Sequence, residues 1–590
     1  MRALEGEPLP LAELNAAKNR IDVTTAYTDR EQVSQLPGAR YDRSDKTWTA
    51  PVSWASCLIL RGLFGDTLEI GPLLHHWTWV EYRKRVGPAL RLRDVLKDTT
   101  PFPELDAVEE GSTLKLYPYQ RVDAAFLTVN RRALLAQPMG LGKGPVAIRT
   151  LQVLAYRGMN PFPALVVCPN SLKYTVWARE LERWAPELVV QVVDGSAVKR
   201  RKQLTEPVDV LVINWEGLKL HSRVSGYGTI ALSDKDKEEK ELNAMGLRSV
   251  IFDEVHKIKD PHAQQTRAAW QLAHNAEYCF GLTGTPVGNN IGDLWSIMHA
   301  IEKDWFPRRT KFLDRYAKTA LNYFGGHEIL GINPHTKAEL FSITDPLMRR
   351  VLKEAALPQL PPKLPVAYRH TPLTAKQAKA YKEMESSMIA RLNEILVAPS
   401  PLAALTRLFQ FAAAAAEIDE KGRVRLSVPS PKVDDMVELL EEMGEEPLVV
   451  AAVSRQLIEL AAERLTKLKI PHGLITGAQG SALRAQAVDE FQAGQTRVML
   501  MTIGAGAEGI TLTRASTMLF MQRDFSEIKN AQSEDRVHRI GSERHSAIQI
   551  IDQITPGTVE ERKLDLLAVK QGRMEEIVRD KDSLLKLLGR

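Results

Sequence analysis

From about Leu114 onward, short apolar runs alternate with amphipathic helical stretches, and this alternation narrows the fold more than any other feature. Residues 164–168, 208–213, 249–252 and 278–282 each form an apolar run that ends at polar or glycine residues, the pattern of a strand buried on both faces. A second series follows at 447–453, 472–475, 498–502, 518–520 and 548–551. Strands alternating with helices argue for open parallel sheets with helices packed on them. Sheets of this kind bind ligands beyond the carboxyl ends of their strands. Two series therefore predict two lobes with a cleft between them, and 590 residues are too many for one core.

Between the two series, residues 293–422 read as largely helical, with a proline-rich break at Leu357-Pro-Gln-Leu-Pro-Pro-Lys-Leu-Pro365. The five alanines at 412–416 fall in a helical window and suggest tight helix packing. Residues 1 to about 105 form a separate module. The mixed-charge run 235–241 reads as a solvated loop. Lys199-Arg-Arg-Lys202 reads as a basic turn, either solvated or touching phosphates.

A net charge of +5 permits a nucleic-acid partner without requiring one. Cys57, Cys168 and Cys279 lie far apart with no CxxC pair, which argues against a disulfide framework or zinc finger and for a reducing compartment. Cys168 and Cys279 stand in apolar runs and read as buried strand residues. No apolar run approaches the roughly 20 residues needed to span a bilayer, so no membrane association is expected.

Leu134-Leu-Ala-Gln-Pro-Met-Gly-Leu-Gly-Lys143 follows an apolar run and precedes a helical one. Gly140 and Gly142 let the backbone curl so that successive N–H groups, those of Met139 and Leu141 included, point at a polyphosphate. A helix beginning near Gly144 adds its positive end, and Lys143 can reach the terminal phosphates. A bare glycine-rich turn is the alternative, and the strand-to-helix setting with the adjoining lysine argues against it. The usual pattern places Ser or Thr after the lysine, where its hydroxyl helps hold Mg²⁺. Here that residue is Gly144, and Ala136 replaces the first glycine. Nucleotide binding is expected to be intact, with the Mg²⁺ site short of one ligand.

Val250-Ile-Phe-Asp-Glu-Val-His256 reads as a buried strand ending in two carboxylates. Asp253 can hold Mg²⁺, and Glu254 can share the metal and orient and deprotonate an attacking water. Gly281-Leu-Thr-Gly-Thr-Pro286 closes the next strand; the hydroxyls of Thr283 and Thr285 can couple the nucleotide pocket to the second lobe, although the segment taken alone reads better as a simple turn. In Ala531-Gln-Ser-Glu-Asp-Arg-Val-His-Arg-Ile-Gly541, Arg536 and Arg539 are spaced to lie on one helix face. Permanently charged guanidinium groups can stabilise a γ-phosphate, the alternative being a surface helix with ion pairs. Gln532 can position the helix or the nucleotide.

These blocks, together with Leu116-Tyr-Pro-Tyr-Gln120, Val167-Cys-Pro-Asn-Ser-Leu172, Leu347-Met-Arg-Arg350, Leu360-Pro-Pro-Lys363 and Gly504-Ala-Gly-Ala-Glu-Gly-Ile-Thr-Leu512, resemble a Swi/Snf-type ATPase of helicase superfamily two. The resemblance runs from Leu116 to about Leu567. It implies two RecA-like parallel-sheet lobes with helical insertions, at 106–300 and 431–590, the second ending in brace helices. Residues 301–430 would form a helical protrusion, and 1–105 a small α+β domain. It implies ATP and Mg²⁺ as cofactors, with Gln120 on the adenine, Lys143 on the phosphates, Asp253 and Glu254 on metal and water, and Arg536 and Arg539 as arginine fingers. Gly506 and Glu508 would line the cleft. Family members track along duplex DNA, usually without separating its strands. The contacts would come from loops at Ser171, Asn214 and Thr502 and grip phosphates rather than bases. Opening and closing of the cleft would advance the grip.

Arg40-Tyr-Asp-Arg-Ser-Asp-Lys-Thr-Trp-Thr-Ala-Pro-Val52 alternates in strand fashion and is similar to the HepA-related (HARP) domain of annealing-helicase-type members, which binds branched DNA. Tyr41 and Trp48 would either stack on bases or pack a small sheet. The expected activity is that of a monomeric, ATP-dependent translocase on double-stranded or forked DNA, acting in replication, repair or recombination. It would work in the cytoplasm of a bacterium or of a virus-infected host, or in a eukaryotic nucleus. A DNA-binding clamp whose ATPase is weakened by Gly144, and an RNA-directed relative, are the competing readings.

Overall fold

The computed structural model describes residues 9–284, 291–321, 327–394, 401–420, 423–506 and 509–569. The chain divides into two compact units, Met1–Pro358 and Gln359–Arg590.

The first unit opens with a five-stranded sheet in the order Arg40–Asp42, Thr47–Pro51, Arg20–Thr24, Leu11–Asn15, Glu69–Ile70. Its first four strands run antiparallel, and the last pairs parallel with Leu11–Asn15. One guanidinium, Arg20, ties Asp22, Asp42 and Asp45 together along the rim. Helix Trp54–Phe64 starts where the Ser53 hydroxyl accepts from the Ser56 N–H, satisfying an otherwise orphaned donor.

A seven-stranded, wholly parallel sheet follows: β1 (Arg132–Ala136), β2 (Ala164–Cys168), β3 (Val190–Val192), β4 (Val210–Asn214), β5 (Ser249–Asp253), β6 (Tyr278–Thr283) and β7 (Met348–Arg349). Their spatial order is β7-β1-β6-β5-β2-β4-β3. Successive side chains of a strand point to opposite faces. Accordingly Leu165 and Val167 belong to the buried cluster that takes in Leu218 and Trp270 of helices Trp215–His221 and Gln264–Asn275, whereas Ala164, Val166 and Cys168 belong to the one that takes in Phe126 and Leu151 of helices Pro118–Asn130 and Lys143–Tyr156. Each fully buried Val, Leu or Phe contributes about 1.5–3 kcal/mol. Burial on both faces is why these strands read as unbroken apolar runs rather than alternating ones.

In the second unit a six-stranded parallel sheet contains β8 (Ala367–His370), β9 (Leu448–Ala452), β10 (His472–Ile475), β11 (Val498–Thr502), β12 (Thr517–Phe520) and β13 (Gln549–Ile554), in the order β8-β13-β12-β9-β11-β10. Lys432 is fully buried beneath it, donating to the Met521 and Gln553 carbonyls and to Glu560.

The stretch 293–422 is less helical than its sequence suggests. It holds β7, an edge strand of the first unit's large sheet, β8, an edge strand of the second unit's, the hairpin Ala317–Leu321 with His327–Ile332, and the strand Ala415–Ile418, which pairs with Val424–Ser427 just beyond it. The alanine run is not one helix: helix Pro401–Ala413 ends within it and a strand begins at Ala415. Alanine's helical preference is weak, and pairing with 424–427 outweighs it. The basic run at 199–202 lies in helix Ala197–Gln203 rather than a turn, and 234–237 forms a short exposed helical turn. Cys168 and Cys279 are buried as expected. Among the described residues, no helix is long and apolar enough to cross a membrane.

Candidate functional site

β1 runs into the glycine-rich loop, and helix Lys143–Tyr156 leaves it. Gly140 and Gly142 have φ of 80° and 70°, the left-handed region that β-carbon-bearing residues avoid. A β-carbon on Gly142 would stand 2.3 Å from Gln120 Nε2, so a side chain there would displace the Gln120 carboxamide. Gln120 and Tyr119 hold the loop from beneath: Gln120 Nε2 and the Tyr119 hydroxyl each donate to the Leu141 carbonyl at 3.0 Å. Gln120 Oε1 accepts from the Tyr117 N–H. Lys143, mostly buried, donates to the carbonyls of Gln137 (2.9 Å) and Pro138 (3.2 Å). Met139 flanks the loop, and Gly144 and Pro145 form the first helical turn, where proline's missing N–H is harmless.

The carboxylate pair lies at the end of β5, two strands from β1 in the same sheet. Asp253 accepts from Trp177 Nε1 at 2.8 Å and from the Glu254 N–H at 3.0 Å. Burial first, and then the Glu254 charge, push its carboxyl up to about 6, against the pull of Trp177 and Lys143. Lys143 is thus close enough for its charge to act on Asp253. Glu254 has φ of 52°, uncommon for a glutamate, and is nearly buried. Its Oε2 is 3.2 Å from His256 Nδ1, which is 3.1 Å from Thr283 Oγ1 at the end of β6. A β-carbon on Gly284 would lie 3.6 Å from the Gln137 carbonyl, so the end of β6 packs on the loop.

The first unit therefore brings together Gln120, the loop, Lys143, Asp253, Glu254 and Thr283 at the carboxyl ends of parallel strands. A curl of N–H groups and a lysine suit a polyphosphate. Two adjacent carboxylates suit a divalent cation, which would relieve the Glu254 repulsion that adds to burial in raising Asp253. Among the described residues no group of three or more His, Cys, Asp or Glu could hold a metal by itself. Mg²⁺ needs no such cage, because it takes one or two carboxylates, substrate phosphates and water.

Two other candidate residues share this edge: Ser171 in the turn after β2, whose carbonyl accepts from Thr175, and Asn214 at the end of β4, which donates to Glu216. Tyr41 and Trp48 face each other across the predicted hairpin, with ring centroids 5.5 Å apart. Trp48 packs on the core, and Tyr41 is half exposed.

In the second unit, Thr502 ends β11 and is buried, and Gly506 closes the short helix Ile503–Gly506. Glu508 and Thr285 lie outside the described residues. Gln532 is in helix Glu527–Glu534, but Arg536 and Arg539 are not on its face. The helix ends at Glu534, and both arginines belong to the turn beyond it. What brings them together is an acceptor: both guanidinium groups donate to the Ile510 carbonyl, at 3.4 and 3.1 Å, while Arg536 Nε also donates to the Gln532 carbonyl. Sequence reasoning missed Trp177, which nothing in the local sequence links to Asp253, and gave no role to His256 although it stands in the carboxylate motif.

A family model for the SNF2-related domain matches residues 75–414, and one for the helicase conserved C-terminal domain matches residues 431–541. The DNA annealing helicase and endonuclease ZRANB3 of Homo sapiens is 28% identical over 466 residues, covering 77% of this chain and 40% of its own length. The SWI/SNF-related matrix-associated actin-dependent regulator of chromatin subfamily A-like protein 1 of Xenopus tropicalis is 27% identical over 491 residues, covering 80% of this chain and 46% of its own. The chain thus spans less than half the length of these relatives. Among solved structures, the Sulfolobus solfataricus SWI2/SNF2 ATPase core in complex with dsDNA is 24% identical with a TM-score of 0.36, covering 80% of this chain and 95% of that one.

Proposed function

We propose that this chain, which belongs to the SNF2-related family, is an ATP-dependent translocase on double-stranded DNA that remodels or reanneals forked DNA. The observation that carries the reading is the shared strand edge in the first unit, with the phosphate loop after β1 and the Asp253–Glu254 pair after β5. Lys143 is proposed to exchange the Gln137 and Pro138 carbonyls for phosphate oxygens. Glu254, held against His256, is proposed to orient water and take its proton. Asp253 and Glu254 would hold Mg²⁺, which neutralises charge on the phosphates. Arg536 and Arg539 are proposed to stabilise charge on the phosphoryl group in flight. Ser171, Asn214 and Thr502 are proposed to meet the DNA backbone, and Tyr41 to meet bases at a branch. The name of one relative, a DNA annealing helicase and endonuclease, supports the reannealing part.

Steady-state ATP turnover with linear duplex, single-stranded and forked DNA tests the reading, with Lys143→Ala as the inactive control. Stimulation by duplex, and more strongly by forks, is expected. Turnover indifferent to all three DNAs refutes it. A second reading, a DNA clamp with weak ATPase, is favoured by one observation: Gly144 supplies no hydroxyl where Mg²⁺ would be held.

A further inference from the structure

Helix Pro118–Asn130 grips the phosphate loop at both ends. Tyr119 and Gln120 hold the Leu141 carbonyl, and one turn later Asp123 holds the loop's other end, accepting from Gln137 Nε2 at 2.6 Å. The Gln137 carbonyl is in turn the nearer of the two on which Lys143 rests. Asp123 has no exposure to solvent, and burial pushes its carboxyl upward, away from the charged form. It stays useful as an acceptor because Arg349, also fully buried, donates Nε to the same Oδ1 at 2.6 Å.

Arg349 is in turn held from the other side. Its Nη1 donates to the carbonyls of Leu92 and, at 2.6 Å, Arg93, and its Nη2 to Val95 at 2.7 Å. The Leu92 and Arg93 carbonyls end helix Gly87–Arg93, where such groups lack partners within the helix and favour a cation, and Val95 follows two residues beyond it. The register of β7 on β1 sets Arg349 beside Leu135, two residues before Gln137. Arg349, Asp123, Gln137 and Lys143 therefore form one hydrogen-bonded chain from the end of helix Gly87–Arg93 to the phosphate loop.

We infer that Arg349 is a positioning residue for ATP: through Asp123 it fixes Gln137, and so sets the posture of the loop from which Lys143 engages phosphate. The inference rests on the reading of this loop as the ATP site. A merely stabilising role does not account for the pair, because a buried ion pair generally adds little that well-packed apolar residues would not. What an apolar pair could not do is hold the Gln137 carboxamide. When Lys143 turns from the carbonyls to a phosphate, the loop must keep its curl, and the Asp123–Gln137 bond is the restraint that outlasts the change.

The test uses the full chain and three substitutions. Gln137→Met keeps the side-chain length and leaves the Arg349–Asp123 pair in place, so it removes the link without unpairing a buried charge. Its KM for ATP should rise about tenfold, with kcat on saturating duplex DNA within about twofold, the signature of lost uniform binding. Arg349→Met should raise KM at least as far. Arg349→Lys should fall between it and wild type, because one ammonium reaches Asp123 but cannot span the three carbonyls. A wild-type KM in Gln137→Met overturns the inference, as does a fall in kcat with KM unchanged. Absence of ATP binding by the unaltered chain would instead overturn the ATP reading, and the inference with it; this is seen before any variant is made.

Discussion

Gly144→Thr separates what a hydroxyl does at the phosphate loop from what a side chain does there. Gly144 is the second residue of helix Lys143–Tyr156; a β-carbon built on it meets no heavy atom within 4 Å, and its φ lies outside the left-handed region. The steric term is therefore near zero. Two gains remain. Replacing glycine in a helical turn removes conformational freedom from the unfolded chain, worth about 0.5–1 kcal/mol, and Gly144→Ala shares this gain fully. The hydroxyl belongs to threonine alone. If it replaces a water on Mg²⁺ and tightens the metal about tenfold, that is about 1.4 kcal/mol. The assay is ATP turnover on saturating linear duplex with Mg²⁺ titrated at fixed ATP. Half-saturation should fall about tenfold for Gly144→Thr and stay within about twofold of wild type for Gly144→Ala, while both variants resist heat slightly better. Superimposable Mg²⁺ curves for the two variants refute the reasoning. A rise in turnover beyond about tenfold at saturating Mg²⁺ favours the weak-ATPase clamp.

His274 and His299 stack edge to face in the first unit, and burial holds their imidazoles at about 4 and about 3. The unfolded chain takes up protons near pH 6.5 that the folded one refuses, so stability is level above about pH 7.5 and falls as pH drops through 6.5. At pH 5 the loss is about 2 kcal/mol per histidine, and urea midpoints of wild type and His299→Gln should converge on acidification. Lys432→Met leaves Glu560 buried without its cation and should cost the second unit about 3–5 kcal/mol, with Lys432→Met/Glu560→Gln recovering part of it; thermal unfolding reads both. Arg539→Lys keeps the charge but loses the planar fork, and turnover should fall about a hundredfold or more with KM for ATP little changed. Near-normal turnover would remove Arg539 from the chemistry.

The sequence by itself determined the parts whose physics is local. Strands buried on both faces announce themselves as apolar runs, and β2, β10 and β11 lie where those runs do. The glycine loop and the Asp253–Glu254 pair are contiguous, so their chemistry could be read residue by residue. The hairpin carrying Tyr41 and Trp48 was equally plain, being set by alternation around a short turn. Only the tertiary structure decided what depends on which strand lies beside which. Trp177 reaches Asp253 because β2 and β5 are neighbours, and Arg349 reaches Asp123 because β7 pairs with β1 across more than two hundred residues of chain. The short strands β7 and β8 were invisible in a stretch of helical composition, since a few residues on a sheet edge carry no periodicity of their own. Arg536 and Arg539 have the spacing of a helix face, yet the Ile510 carbonyl, not a helix, holds them together. Local pattern fixes what a segment can be; sheet order, a property of the whole chain's packing, fixes which distant side chains meet.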